Sequence, residues 1–440
     1  MKAKKTFRRI VGSITAPKGF KAAAVFCDIK RLGTGKGSQK GQKRDLALIV
    51  SDTPAAVAGM FTTNDFRAAP VRLCVKCVAN GEARAIVANS GNANACTGKQ
   101  GAADAESMSR IAAEALALHP RDLLVCSTGR IGSLLPMENV ARGISAVAER
   151  LRSDRASAAH VAEAIMTSDT RPKKVAVEFE LDGKPVRIGG VCKGAGMIQP
   201  GMTPTGAREL HATMLCFITS DAAIDSKLLK HSLRASVAQS FNRITIDGDM
   251  STNDTVLVLA NGAAGNKRIT SSRGQGYATF QIALDYVTNQ LARMIVLDGE
   301  GVSRFVTVHI HGAATAHDAE ITARAIANSS LVKTSWCGGD PNWGRVLSAV
   351  GMSGARVHES KVEVGYSSAG GTTVTYASRK GEPTNVAFAT LAKIVSRAAF
   401  DIHVFLHLGK HAFSLYAADL TERYVEFNKG DVSDPNALGG

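Results

Sequence analysis

Strands and helices that alternate along nearly the whole chain predict an α/β or α+β protein. Three observations carry this: apolar residues switch repeatedly between a period of two and a period near 3.6, hydrophobic content is 45% against 21% charged, and 42 glycines accompany only 5% aromatics. That composition suits a globular, turn-rich chain packed with Ala, Val and Leu. At 440 residues the length fits two or three domains rather than one.

Taken in order, DLALIVSD over 45–52 reads as a buried strand, and Ala83–Ala88 as another that runs into a polar loop over Asn89–Asn94. Residues 102–118 place Met108, Ile111, Ala115 and Leu118 at helical spacing, with Pro120 as the stop. The strand Leu123–Cys126 then enters Ser127-Thr128-Gly129. A helix with Pro136 near its start carries Val140, Ile144, Val147 and Leu151 on one face. Val175, Val177, Phe179 and Leu181 alternate up to Asp182-Gly183, a hairpin signal, and the returning strand delivers Lys193. Further on come a helix over Asp225–Asn242 and the strand Thr255–Leu259. A long helix with Phe280, Leu284, Val287, Leu291 and Met294 on one face ends at Asp298-Gly299-Glu300-Gly301. The strand Phe305–Ile310 opens a second, smaller domain, so the expected division is 1–300 and 301–440.

Several function classes lose support. The basic N-terminus lacks the apolar stretch of a secretory signal and no 18-residue apolar run occurs, which predicts a cytoplasmic protein with no membrane partner. Eight cysteines are scattered without a disulfide framework, and Cys74-Val75-Lys76-Cys77 is a lone CxxC without a second pair at zinc spacing. The net charge of +15 is densest over Lys30–Asp45, a solvated loop with no interleaved aromatics and no Walker pattern; nucleic acid is therefore not the expected partner. His309 and His311 share a strand face, as would His403 and His407; each pair reads as the polar side of a half-buried strand, and no metal is expected.

The most telling tetrapeptide is Ala212-Thr213-Met214-Leu215. A hydroxyl is a poor nucleophile until a base takes its proton, and a threonine at a chain start carries such a base in its own α-amine. That amine has a pKa of roughly 7.7–8.0, so much of it is neutral at physiological pH. By itself the tetrapeptide is better read as a core-facing threonine on an apolar strand or helix.

Its context decides. APKGF from Ala16, NSGNANACTG from Asn89, STGRIG from Ser127, MTSDT from Met166, KGAGMI from Lys193, ATML from Ala212, FNRITIDGDMSTNDT from Phe241, DGEG from Asp298 and DPNWGR from Asp340 stand in order along the chain. Together they resemble the ornithine acetyltransferase family, the glutamate N-acetyltransferases of arginine biosynthesis. The resemblance implies a layered αββα-type sandwich with a smaller C-terminal α/β domain. It also implies self-cleavage between Ala212 and Thr213 into an α chain, 1–212, and a β chain, 213–440, paired as a heterotetramer of two of each. Thr213 would then carry acetyl from N2-acetylornithine to L-glutamate; some members also accept acetyl-CoA, and no resident cofactor is needed. Thr128 and Gly129 match the family's oxyanion pair, and Thr167, Lys193, Thr213, Glu300, Asn428 and Ser433 match its substrate-binding positions. Lys193 suits a carboxylate and Glu300 an ammonium.

Departures from the pattern cluster at the junction. Gly201–His211 intervene where the family runs almost directly into the cleavage site, and Arg130, Met250 and the tail DVSDPNALGG are milder differences. The expectation is an active enzyme that tolerates the longer loop. Its competitors are an aminopeptidase or amidase using the same nucleophile, and an uncleaved binding protein with a basic surface.

Overall fold

The strand read over 45–52 continues through Phe61, for 16 residues. This is seen in a computed structural model that describes residues 7–30, 43–203 and 214–429. The chain divides into two compact units: one holds the described residues up to Asn242 and Asp249–Ile295, the other Arg243–Gly248 and Val296–Lys429. Each is mixed α/β and built on one sheet.

The first unit contains β1 (Arg8–Arg9), β2 (Phe20–Val25), β3 (Leu46–Phe61), β4 (Glu82–Asn92), β5 (Leu123–Arg130), β6 (Lys173–Leu181), β7 (Lys184–Lys193) and β8 (Leu215–Ser220), and, beyond β9 (Ile244–Thr245) of the other unit, β10 (Thr255–Ala260). Their order is β1-β6-β7-β8-β10-β3-β4-β5, with β2 beside β3. Alternation along β3 sends Leu46, Leu48 and Val50 to one face and Ala47 and Ile49 to the other. The first face packs on the helices Gly98–Leu116 and Met137–Ala148 through Met108, Ala112, Val140, Ile144 and Val147. The second receives Val71, Cys74 and Cys77 of the helix Ala69–Val78, and Ala158, Val161 and Ala162 of the helix Arg155–Ala164. The CxxC is thus one apolar helix face, and the Cys74 thiol donates to the Val125 carbonyl at 3.1 Å.

That second core also takes Val191, Leu215, Phe217, Leu257 and Leu259 from β7, β8 and β10. One face of the sheet from β7 across to β5 therefore lines a single interior. The expected loop over Asn89–Asn94 is a correction: β4 continues to Asn92, because its groups pair with β5 in parallel up to Gly91↔Gly129 and Asn92↔Arg130.

The second unit pairs β11 (Phe305–Ala313), β12 (Glu363–Ser368), β13 (Thr375–Arg379), β14 (Glu382–Pro383), β15 (Ala399–Phe405) and β16 (His411–Ala418) in the order β14-β13-β12-β15-β11-β16-β9. Val306, Val308, Ile310, Phe400, Ile402, Val404, Leu415 and Ala417 face a core closed by Ala319, Ala323, Ile326, Trp336, Val346 and Val395 from four helices. Among the described residues no helix is long and apolar enough to cross a membrane.

Candidate active site

One rung of hydrogen-bonded partners crosses the first sheet where the junction begins. Lys193 of β7 opposes Leu215 of β8, Leu215 opposes Thr255 of β10, Thr255 opposes Phe61 of β3, and Phe61 bridges Thr203. The chain before the junction is pinned there: Phe61 N–H donates to Thr203 O at 2.9 Å, Asn242 Oδ1 accepts from Met202 N–H at 2.9 Å, and the Thr63 hydroxyl donates to Gly201 O at 3.2 Å. On the far side Met214 is buried, and its carbonyl accepts from Thr255 N–H at 2.9 Å. Ala212 and Thr213 themselves lie outside the described residues, as do most of the intervening residues Gly201–His211 and Ser433.

Lys193 is five strands from β5 in the sheet order, about 24 Å if the sheet were flat at roughly 4.8 Å per strand. Yet its Nζ donates to Thr128 Oγ1 at 3.3 Å, and both side chains are buried. The curl of the sheet makes this contact. A hydroxyl whose oxygen accepts from an ammonium retains its proton for a further acceptor, so Thr128 is set up as a donor.

Gly129 follows with φ +131°, and a Cβ there would stand 2.4 Å from the Gly91 carbonyl carbon. Only glycine lets β4 and β5 approach this closely at the strand end. The segment is held by residues that the sequence reading quoted without a role: Asn253 Nδ2 donates to Ser127 O at 2.7 Å and to Ala93 O at 2.6 Å, and the Ser127 hydroxyl donates to Asn89 Oδ1 at 2.6 Å.

Asp169 ties a second set together. Its Oδ1 accepts from Gly194 N–H at 2.7 Å and from Lys173 Nζ at 2.5 Å, while Oδ2 accepts from Thr167 N–H at 3.0 Å. Burial pushes this carboxyl up, but Lys173, Lys193 and the Gly194 N–H outweigh it and hold it at about 2. Thr167 lines a cavity of about 130 Å³ with Lys30, Lys43, Glu163, Met166 and Asp169. An open groove of about 740 Å³ beside the helices Ala69–Val78 and Gly98–Leu116 contains none of the expected site residues.

Asp254, next to Thr255, is fully buried and neither carboxylate oxygen makes a hydrogen bond. Burial raises it well above the usual carboxylate range; the nearby Met214 N–H and the Lys193 charge only oppose that rise. Sequence reading missed it, although an acid directly before the apolar run that begins at Thr255 was a usable signal.

Glu300 and Asn428 meet in the second unit, where Asn428 Nδ2 donates to Glu300 Oε2 at 2.8 Å and to Tyr424 O at 3.0 Å. Gly301, φ +68°, lets the Glu300 turn pass the helix Glu422–Asn428: a Cβ would lie 2.5 Å from Tyr424 N, and Thr421 Oγ1 donates to Gly301 O at 2.8 Å.

The ArgJ family matches residues 22–430. This chain belongs to the ArgJ family. It is 45% identical over 419 residues to the arginine biosynthesis bifunctional protein ArgJ of Symbiobacterium thermophilum, covering 95% of this chain and 98% of that one. Against the glutamate N-acetyltransferase of Methanocaldococcus jannaschii it is 43% identical over 426 residues, covering 96% and 98%. A mitochondrial ArgJ protein of Dictyostelium discoideum is 40% identical over 437 residues, covering 96% and 94%. Family membership therefore extends over both units, including the segments that carry Thr128, Lys193 and Glu300.

Proposed function

We propose that this ArgJ-family acyltransferase moves acetyl from N2-acetylornithine to L-glutamate through Thr213, after cleavage of its own chain at Ala212/Thr213. The observation that supports it best is the Lys193–Thr128 contact on the rung where β8 leaves the junction.

In this reading the Thr213 hydroxyl attacks the Ala212 carbonyl, and water completes hydrolysis to an Ala212 carboxylate and a free Thr213 amine. The resulting α part, 1–212, and β part, 213–440, stay associated, two of each. The freed amine then accepts the hydroxyl proton as Thr213 Oγ attacks the acetyl carbonyl. Negative charge on the tetrahedral oxygen meets the Thr128 hydroxyl and the Gly129 N–H. Collapse breaks the C–N bond, the proton goes to the departing ornithine amine, and acetyl-Thr213 remains. Glutamate's amine attacks that ester, and Thr213 recovers its proton as N-acetylglutamate leaves.

Lys193 binds the α-carboxylate and Glu300 the ornithine ammonium, with Thr167, Asn428 and Ser433 lining the substrate. Acetyl-CoA is included as a second acetyl donor, no resident cofactor is required, and the compartment is the cytoplasm.

Intact-mass measurement on wild type and Thr213→Ala, followed by an acetylornithine:glutamate transfer assay, tests this. Wild type should yield two fragments meeting at 212/213 and transfer acetyl; the variant should remain whole and inactive. Full transfer by Thr213→Ala overturns the proposal, and hydrolysis of acetylornithine without need for glutamate replaces it with an amidase.

A further inference from the structure

The side of the second sheet opposite its apolar core carries a polar cluster with no part in acetyl transfer. Period-two alternation puts Val308 and Ile310 of β11 and Ile402 and Val404 of β15 in the core, so His309, His311, Asp401 and His403 share the other face. The parallel register sets His309 directly beside His403. The sequence reading took these imidazoles as the polar side of half-buried strands, which is where His309 and His311 stand. His403 is buried and engaged at both nitrogens, by His311 Nε2 at 3.2 Å and Ser367 Oγ at 3.0 Å, and His407 lies past the end of β15.

Donor atoms of His309, Asp401 and His403 lie within 4.8 Å of one another, and His309 Nε2 stands 3.7 Å from Asp401 Oδ2. Asp401 is 3% exposed; its Oδ2 accepts from Gly370 N–H at 2.7 Å, while its buried Oδ1 has no hydrogen-bond partner. A buried carboxylate oxygen left so is costly unless something positive approaches it. On the outer side, His309 Nδ1 is fixed by Ser414 Oγ at 2.8 Å, the kind of support that aims the other ring nitrogen of a metal-bound histidine.

We propose that His309, His403 and Asp401 form a binding site for a borderline divalent transition metal of the zinc type. Two imidazoles and one carboxylate are a three-ligand set such ions take, with water in the fourth position. Ligand atoms around a tetrahedral zinc at roughly 2.0–2.1 Å stand about 3.3–3.4 Å apart, so the site closes when the His309 and His403 rings, stacked with centroids 4.9 Å apart, turn their nitrogens toward one point. His403 exchanges one of its two hydrogen bonds for the metal and keeps the other. The His309 side chain, 25% exposed, leaves the ion a way in.

The test is titration of the full-length, processed protein, stripped by chelator, with Zn²⁺ by calorimetry and with Co²⁺ by visible absorption. Asp401→Asn, His309→Gln and Ser414→Ala are compared with wild type. One equivalent per chain is expected, with the Co²⁺ ligand-field bands of a nitrogen and oxygen site and no thiolate charge-transfer band. Asp401→Asn and His309→Gln should weaken binding by at least about tenfold, and Ser414→Ala, which removes only a supporting contact, by about 10- to 100-fold. Ser414→Ala should retain full acetyl transfer, and it carries the test if the other two fail to fold. Equal affinity across all folded variants, or a thiolate band marking a cysteine such as the exposed Cys96, overturns the site.

Discussion

Asp169, beyond the helix Arg155–Ala164, and Asp254, at the start of β10, are both buried carboxyls within the field of Lys193, yet they are driven in opposite directions. Burial pushes each of them up. Around Asp169 the Lys173 ammonium, the Lys193 charge and the Gly194 N–H reverse that and hold it at about 2. Around Asp254 the Met214 N–H and the Lys193 charge are too little, and burial wins. Nearness to one cation therefore does not decide the charge of a buried acid; the number of donors aimed at its oxygens does.

The strongest way to break this contrast is Asp169→Asn. The substitution keeps the shape but leaves Lys173, whose side chain is 1% exposed, as an uncompensated buried charge, and should cost about 3–5 kcal/mol in urea unfolding at neutral pH. Wild type should show the matching acid sensitivity. A carboxyl whose pKa is lowered on folding contributes stability that is full above its unfolded value near 3.8 and fades as pH falls toward about 2, here about 2 kcal/mol. A variant as stable as wild type at pH 7 would mean that Lys173 and Lys193 do not depend on Asp169.

Next comes the side of Lys193 that faces Thr128. Thr128→Val keeps the branched shape and removes the hydroxyl, so kcat for acetyl transfer should fall by about 10²- to 10³-fold, or roughly 2.7–4 kcal/mol in the barrier. Unfolding free energy should change by only about 1 kcal/mol, the net worth of one hydrogen bond. An unchanged kcat would confine Lys193 and Thr128 to holding the curled sheet together.

These features were unequally legible in the sequence. The β6–β7 hairpin and the helix Gln275–Val296 follow from local periodicity and from Asp182-Gly183. The helices Ala69–Val78 and Arg155–Ala164 were missed, although Val71, Cys74 and Cys77 stand at helical spacing, and the Asp154 side chain accepts from Ser157 N–H at 2.7 Å as an N-cap. Reading Cys74 and Cys77 as a possible ligand pair hid the helix. Thr128 and Lys193 were named through family resemblance alone, since nothing local shows that strands five places apart will curl into contact. Asp169 lay inside a quoted motif with Lys173 four residues on, but its importance also arises from Lys193 and Gly194, which only folding brings to it.

The smallest and most discriminating change is Asp254→Asn. An acid whose pKa is raised by burial contributes stability that is full below its unfolded value near 3.8 and is lost as pH rises through the folded value, because ionising it inside the protein is penalised. Asparagine does not ionise, so its own penalty, about 1 kcal/mol for an amide N–H left unpaired, is the same at every pH. Relative to wild type, Asp254→Asn should therefore look worst near pH 4 and improve steadily toward pH 8, whereas Asp169→Asn should stay level over that range and improve only below about pH 4, where wild type loses the Asp169 contribution. Urea midpoints of both variants from about pH 2 to pH 8 measure the two dependences against each other. A difference that stays level from pH 4 to 8 for Asp254→Asn as well would show that Asp254 has donors beyond the Lys193 charge and the Met214 N–H, and the Thr213 amine that the proposed cleavage would free, one residue from Met214, is then the first group to examine by repeating the titration in a Thr213→Ala background.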